Sequence, residues 1–230
     1  MQFTAKDTPA KIIMTFPQAS DLFKENKIDF CCGGDQPLKD QCFEQNIDEE
    51  EFLHELNDQY TTWKEEGNIA KDWEKVTLEQ LVDHIIHHHH LYLKKELPAL
   101  SEFVARIFYV HGDDQPHLKQ LHKLYHDFKL DMEQHMMREE SELFPLVFQF
   151  IKSPEQSLLD EIVELNEELE KEHDDSGDLL KAMRELTNGF NAPPHACGTY
   201  RVTYDRLAEL ESNTFEHIHL ENNILFKRLQ

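Results

Sequence analysis

The sequence predicts an all-α protein in which a small helical N-terminal domain precedes a four-helix bundle. Apolar residues recur every three or four positions over long stretches, which is the spacing of one face of an α-helix. No segment shows the alternation of apolar and polar residues that predicts a β-strand. The chain also has only seven glycines among its 230 residues, which is too few for a turn-rich sandwich.

The N-terminal domain is predicted to contain two short helical stretches. The first begins at Thr8-Pro9, since a capping residue followed by proline is typical of a helix start, and it ends before Cys31. The second is predicted from Leu38 to about Asn57. About fifty residues make only a marginal core, so we expect this domain, residues 1–60, to be stabilised by the rest of the chain or by a partner.

The remainder of the chain is predicted to form a bundle over residues 77–230, joined to the first domain by a polar linker over 61–76. Four long helical stretches are separated by breaks that contain glycine or proline. They are predicted at roughly 77–110, 117–151, 155–188 and 199–228. Short connections favour antiparallel neighbours, and therefore an up-down-up-down arrangement.

Composition excludes several classes of protein. Acidic residues outnumber basic residues by 46 to 23, a formal net charge of −23, which argues against binding to nucleic acid or to an anionic membrane surface. No apolar run of about 18 residues predicts a transmembrane helix, and the N-terminus lacks the pattern of a secretory signal. We therefore expect a cytoplasmic protein whose adjacent cysteines are not part of a disulfide framework.

Histidine and glutamate interrupt the apolar stripe of the bundle helices, at positions where a hydrophobic residue is expected. The residues concerned are His89 or His90 in the first helix, His135 and Glu139 in the second, His173 in the third, and His217 and Glu221 in the fourth. Buried carboxylates cost several kcal/mol each unless they are paired or bound to a cation. A pair of metal ions explains the set, because imidazole and carboxylate together suit iron, manganese or zinc.

The number of donors predicts an open metal centre. Two His-x-x-x-Glu motifs, at 135–139 and 217–221, place nitrogen and oxygen donors one turn apart on the same helix face. If both glutamates bridge two metals and each metal takes two histidines, every metal has four protein donors. An oxo or hydroxo bridge adds a fifth and leaves a position for a diatomic molecule or water, as in a reactive site.

Several other polar residues are expected to lie outside this centre. His111 is 21 residues from His90, about 31 Å along a straight helix, so the two cannot share one cluster. His122 and His126 lie about 100° off the apolar stripe and are predicted to be solvated. Asp131 and Glu172 are interpreted either as hydrogen-bond partners of the ligands or as ordinary surface acids.

Motifs along nearly the whole chain resemble those of the repair-of-iron-centres proteins, which are hemerythrin-like di-iron proteins with a cysteine-bearing N-terminal domain. The matching motifs, in the family's order, are Ile28-Asp29-Phe30-Cys31-Cys32-Gly33-Gly34, His135-Met136-Met137-Arg138-Glu139-Glu140 with Leu143-Phe144-Pro145, Glu172-His173-Asp174, Pro193-Pro194-His195-Ala196-Cys197 and His217-Ile218-His219-Leu220-Glu221-Asn222-Asn223. The resemblance selects His90 over His89, because the family's ligand precedes a Leu-Pro pair by seven residues, as His90 precedes Leu97-Pro98.

The resemblance implies a hemerythrin-like bundle with two iron ions, bridged by oxo or hydroxo. It further implies a protein that repairs iron–sulfur clusters damaged by nitric oxide or peroxide, with damaged iron–sulfur proteins as partners and a homodimeric assembly. Two alternatives stay open at this point. One is an enzyme that reduces nitric oxide to nitrous oxide, and the other is an oxygen-binding or sensing hemerythrin, for which the thiols would have no purpose.

Cys31 and Cys32 are the predicted reactive residues of the N-terminal domain. Consecutive backbone N–H groups near a helix start would favour an exposed thiolate at this doublet. The doublet is then expected to carry iron to a damaged cluster or to react with nitric oxide, whereas the alternative is a buried pair of small hydrophobic side chains. Cys42 and Cys197 are predicted to be structural.

Overall fold

The computed structural model describes residues 3–230 and confirms the all-α prediction, since every regular element in that range is helical. The chain forms two compact units, one of Met1–Thr77 with Ile218–Arg228 and the other of Leu78–His217 with Leu229–Gln230. The last helix thus continues from one unit into the other. None of the helices in the described residues is long and apolar enough to cross a membrane.

The described N-terminal residues of the first unit, from residue 3 onward, form four helices, where the sequence predicts two longer stretches. These helices are α1 (Pro9–Thr15), α2 (Ala19–Glu25), α3 (Leu38–Glu44) and α4 (Glu49–Glu65). The break between α3 and α4 occurs because Asn46 takes a left-handed conformation with φ of 56°. Asp48 then starts the next helix by accepting a hydrogen bond from the Glu51 backbone N–H at 3.0 Å.

Helix α4 continues to Glu65, past the predicted end near Asn57 and into the segment predicted to be a linker. The reason is that the buried stripe of α4 continues through Tyr60 and Trp63. Both rings lie 5.5 Å from the Phe16 ring, between centroids. The aromatic core of this unit therefore includes the C-terminal turns of α4, while the predicted domain limits at residues 60 and 77 stay predictions.

The second unit contains most of the bundle, and the helical runs of the bundle begin and end close to the predicted positions. The first run comprises α5 (Leu78–His84), a π-helical segment (Ile85–His90) and α6 (Leu91–His111); the second comprises α7 (His117–Arg138), a π-helical segment (Glu139–Leu143) and α8 (Phe144–Lys152); the third is α9 (Gln156–Leu186). The last run is α10 (Gly198–Leu220), followed by a π-helical segment (Glu221–Leu225) and a 3₁₀ turn (Phe226–Leu229).

Helix α7 packs against both α6 and α9, and polar contacts join α10 to each of these helices. Arg206 donates to Glu96 of α6 at 2.6 Å, and Arg184 of α9 donates to Glu211 at 2.7 Å. Near the start of α7, the His117 ring lies 3.0 Å from the Tyr204 hydroxyl. The four helical runs therefore surround one shared interior.

A π-helical segment begins or ends at three of the predicted ligands. His90 is the last residue of the first such segment, and Glu139 and Glu221 are the first residues of the other two. Segments of this kind are rare and occur frequently at functional sites. These three π-helical segments, the wide turns of the bundle helices, therefore occur at the same positions as polar residues of the apolar stripe.

Candidate metal centre

The six side chains predicted as ligands are all buried, and the structure brings them together. They form two overlapping groups, His90 with Glu139, His217 and Glu221, and His135 with Glu139, His173 and Glu221. Within each group the candidate ligand atoms lie within 4.8 Å of one another. Both glutamates belong to both groups, and each group has its own pair of histidines. This arrangement suits two ions that share two carboxylates.

Glu139 lies between the two pairs of imidazoles. Its Oε2 is 3.2 Å from the His90 Nε2 and 3.7 Å from the His217 Nε2, whereas its Oε1 is 3.3 Å from the His135 Nε2. The ring nitrogens within each pair are also close, at 3.3 Å between His90 and His217 and 2.9 Å between His135 and His173. The two oxygens of Glu139 therefore face different pairs, as in a carboxylate that bridges two ions.

The electrostatics of Glu139 favour a bound cation. Glu139 is fully buried, and no donor in the described residues meets hydrogen-bond geometry at either oxygen. A buried carboxylate without donors is unstable unless a cation neutralises it, so the residues fit a dimetal centre.

Two further carboxylates orient two of these histidines by accepting hydrogen bonds from their Nδ1 atoms. Glu172 accepts from the His135 Nδ1 at 2.9 Å, and Glu140 accepts from the His90 Nδ1 at 2.8 Å. A hydrogen bond at Nδ1 leaves the lone pair of Nε2 directed to the centre, which is the tautomer that binds a metal. The hydrogen bond from His135 lowers the pKa of Glu172, and Arg138 lowers this pKa further. Glu172 is thus ionised at neutral pH.

The sequence indicated one of these two carboxylates and missed the other. Glu172 was one of two proposed partners, while the second, Asp131, is exposed on α7. Nothing in this acidic sequence relates Glu140 to His90, which is 50 residues away. Lys94 also donates to Glu140, at 2.7 Å, so this contact depends on tertiary structure alone.

Other histidines lie outside both ligand groups. His111 is the last residue of α6, with its Nε2 3.3 Å from the Cys197 Sγ. His122 and His126 lie on α7, with their Nε2 atoms 3.2 Å apart, and His126 is exposed. Cys197, which was expected to be structural, is exposed, whereas Cys42 is buried.

The cysteine doublet lies in a loop of the first unit. Cys31 is buried, Cys32 is half-buried, their Sγ atoms are 3.7 Å apart, and neither is in a disulfide. The backbone N–H groups of Cys31, Cys32 and Gly33 donate to the Asp29 Oδ1 at 3.0, 3.0 and 3.1 Å. The expectation that consecutive N–H groups at a helix start face a thiol is therefore wrong, because these groups converge on a carboxylate instead.

Gln41 and Gly34 hold this loop in its conformation. The Gln41 side chain accepts from the Asp29 N–H at 2.6 Å and donates to the carbonyl oxygens of Asp29 and Gly33 at 2.8 and 2.9 Å. A Cβ at Gly34 would lie 2.4 Å from the Phe30 carbonyl oxygen, so only glycine fits. Asp29 could have been found from the tendency of aspartate to accept from following N–H groups, whereas no sequence signal marks Gln41.

The final helical segment also contacts the backbone of the doublet loop. Asn223 donates to the Cys31 carbonyl oxygen at 2.9 Å, and the His219 Nδ1 lies 3.3 Å from the Phe30 carbonyl oxygen. Lys227 forms an ion pair with Asp35 at 2.5 Å. These contacts place the loop against the segment that carries Glu221, within one compact unit.

The bundle and its buried histidines and glutamates define a protein of the hemerythrin type. In agreement, a family profile described as a hemerythrin HHE cation binding domain matches residues 81–229, and a profile described as a domain of unknown function (DUF542) matches residues 5–60. The chain is 34% identical to the iron-sulfur cluster repair protein ScdA of Staphylococcus epidermidis, over 98% of this chain and 99% of that protein.

Two further relatives carry the same description. The ScdA protein of Staphylococcus haemolyticus is 32% identical over 98% of each chain. The iron-sulfur cluster repair protein YtfE of Citrobacter koseri is 34% identical over 97% of this chain and 96% of its own length. The chain belongs to the family of iron-sulfur cluster repair proteins that includes ScdA and YtfE, as the resemblance of its motifs predicted.

Proposed function

We propose that this protein holds two iron ions and supplies iron for the repair of iron–sulfur clusters damaged by oxidative or nitrosative stress. The observation that carries this proposal is the buried cluster in which both oxygens of Glu139 face imidazole nitrogens without a hydrogen-bond donor. The description of the relatives as iron-sulfur cluster repair proteins supports the destination of the iron.

The residues of the centre divide between two iron positions. His90 and His217 hold one ion, His135 and His173 hold the other, and Glu139 and Glu221 belong to both. This assignment follows the two groups of ligand atoms. Bound iron supplies an exchangeable metal store and open positions for small molecules such as nitric oxide or oxygen. With only four protein donors for each ion, the protein does not fully enclose its iron.

Carboxylates behind the histidines adjust how tightly the iron is held. Glu140 and Glu172 hold His90 and His135 in the ligating tautomer, and they are themselves held by Lys94 and Arg138. Contacts of this kind raise metal affinity without adding a donor. The store is therefore stable in the resting protein, yet its iron can leave by ligand exchange.

We assign the transfer of iron to Cys31 and Cys32. Their sulfur atoms are 3.7 Å apart, in a loop that Asp29 and Gln41 hold in place, and Cys32 is partly accessible. Thiolates suit iron that is destined for an iron–sulfur cluster. Damaged iron–sulfur proteins are the proposed partners, and a cytoplasmic location and a homodimer remain part of the proposal.

Transfer of iron to an acceptor tests the proposal. The iron-loaded protein is mixed under anaerobic conditions with an apo iron–sulfur protein and sulfide, and cluster formation is followed by absorbance while the iron left on the donor is measured. We expect transfer from the native protein and impaired transfer after replacement of Cys31 and Cys32 by alanine. Cys197→Ala is the control, because Cys197 is an exposed thiol outside the doublet.

Two outcomes would count against the proposal. If the native protein keeps its iron in the presence of the acceptor, the supply function is wrong. If the doublet variant and the Cys197→Ala variant transfer iron as fast as the native protein, the assignment of the doublet is wrong.

A further inference from the structure

A succession of four imidazoles leads from the surface to the metal centre at the start of the bundle. His88 is exposed, His84 is half-buried, His89 is buried, and His217 is one of the candidate ligands. The distances between successive ring centroids are 4.1 Å from His88 to His84, 5.7 Å from His84 to His89, and 5.8 Å from His89 to His217. Each ring thus contacts the next.

His89 is the buried member that the proposed centre does not use. Its side chain is only 2% exposed, and its ring is stacked on that of His217 at an angle of 18°. It belongs to neither of the two ligand groups. An apolar side chain would fill the same space without burying two ring nitrogens, so packing alone does not account for a histidine here.

The tautomer of His89 leaves the lone pair of one ring nitrogen available to a metal ion. Its Nδ1 lies 3.3 Å from the Asn213 Oδ1, and an amide oxygen only accepts, so the proton is on Nδ1. The lone pair is then on Nε2, which has no hydrogen-bond partner among the described residues. An imidazole nitrogen with a free lone pair is a ligand that suits a divalent metal ion.

The outer end of the succession suits a cation. His84 and His88 are four residues apart on one helix face, which brings their rings together as a pair of nitrogen donors. Glu216 is close enough to His88 to interact with it electrostatically. The formal net charge of −23 also raises the local concentration of cations at the surface.

We propose that His88, His84 and His89 form the path by which ferrous iron enters and leaves the metal centre. This inference rests on the proposed iron-supply function and specifies how the store is filled and emptied. Each step between rings is a ligand exchange in which one iron–nitrogen bond forms as another breaks. On entry into the centre, bound water is exchanged for His90 and for the carboxylates of Glu139 and Glu221, and the reverse exchange takes place on exit. The path serves the centre in its diferrous state, so no oxidant or reductant takes part.

The rate of iron extraction tests the path. Iron-loaded protein is mixed anaerobically with a colour-forming ferrous chelator, and release is followed by absorbance in the native protein and in His88→Gln and His89→Gln. We expect extraction to slow by roughly tenfold in both variants, the effect of removing one stabilising contact from a barrier. The iron content at saturation is expected to match that of the native protein, since neither residue is a ligand.

His87→Gln is the matched control for these variants. His87 is an exposed neighbour whose Nδ1 lies 2.8 Å from the Asp83 carbonyl oxygen, away from the succession of rings. Native extraction rates in both His88→Gln and His89→Gln would overturn the path, and so would equal slowing in His87→Gln. Loss of iron at saturation in His89→Gln would also overturn it, because His89 would then be a ligand.

The exposed position of His88 keeps the test valid if the buried variant fails to fold. The chelator assay needs neither an acceptor protein nor the cysteine doublet. Slowed extraction together with failed cluster transfer would therefore support the path while refuting the supply function. Normal cluster transfer together with native extraction rates would refute the path while supporting the supply function.

Discussion

Glu139 offers one oxygen to each pair of histidines, so its removal affects both metal positions at once. His135→Ala or Glu139→Ala is expected to lower the iron content sharply, because each variant removes a donor from a buried ion. His122→Ala is the control, since His122 lies outside both ligand groups. Metal analysis after anaerobic loading measures the effect. Equal iron loss in all three variants would show that the ligand assignment is wrong.

Glu172 acts on the centre through His135, so we expect a change in affinity rather than a loss of sites. Glu172→Ala should weaken iron binding by about 10- to 100-fold, as is usual for the loss of a carboxylate behind a ligating histidine. Glu168 provides the control, because it accepts from the same Arg138. Competition with a chelator measures both variants. Equal weakening in Glu168→Ala would assign the effect to Arg138 instead.

The members of the buried His/Glu cluster could be predicted from the sequence because each is a polar residue in an apolar stripe. His89 and His90 could not be separated by periodicity, since both are buried and the wide turn around them departs from the α-helical period. Residues that act through another residue were harder to predict. Gln41 and Glu140 meet their partners through tertiary contacts 12 and 50 residues away, and no local pattern encodes such contacts.

At the scale of the helices, the ion pair between α9 and α10 is predicted to contribute strongly to stability. Glu211 is fully buried and accepts from Arg184 at 2.7 Å. Arg184→Ala is expected to lower the free energy of unfolding by about 3–5 kcal/mol, because it leaves a buried carboxylate without its partner. Denaturant unfolding measures the change.

Lys181→Ala, in the same helix, is the control for the ion pair. Its partner Asp178 is mostly exposed at a distance of 3.9 Å, so the change in the free energy of unfolding should stay under about 1 kcal/mol. Similar destabilisation by the two variants would indicate that loss of helix packing, and not the buried charge, decides the stability.

His219 in the last helix makes the stability of the metal-free protein depend on pH. Burial lowers the pKa of His219 from 6.5 to about 4, so between these values the unfolded chain binds a proton that the folded chain does not. The contribution of His219 to the free energy of unfolding is complete above pH 6.5. It decreases as the pH falls towards 4, by about 3 kcal/mol.

Urea unfolding of the metal-free protein at pH 7 and pH 4 checks the pH prediction. Other groups titrate as well, so the relevant quantity is the difference between the native protein and His219→Gln. The variant should lose less stability on acidification. The same loss in both proteins would mean that His219 does not stay neutral in the folded state.

At the scale of secondary-structure elements, the long helices could be predicted from the sequence. Their local departures from regular α-helix could not. The four bundle runs follow from sustained apolar periodicity with clear breaks. The three wide turns leave no trace in composition, and the break at Asn46 depends on a left-handed backbone conformation at a single residue. The extension of α4 depends on Tyr60 and Trp63 packing on Phe16, which is a tertiary effect.

For the molecule as a whole, iron is expected to contribute to folding stability. Iron that binds only the folded protein should add about 2.7 kcal/mol at a free concentration one hundred times the Kd. For a chain of this size, that stabilisation raises the Tm by roughly 5–10 °C. Calorimetry of the loaded and metal-free protein measures the shift. An unchanged Tm in the loaded native protein, or an equal shift in His135→Ala, would contradict this expectation.

Because a π-helical turn absorbs an additional residue locally, the helix beyond it still presents the same side to the interior. The segment from Glu139 to Leu143 is followed by Phe144 and Val147, which remain buried. Shortening the chain by one residue at Ser141 would restore the α-helical pitch without turning that helix outwards, while displacing the backbone at the carboxylate. A single-residue deletion at this position is therefore expected to disturb the centre while the helix beyond it keeps its buried face.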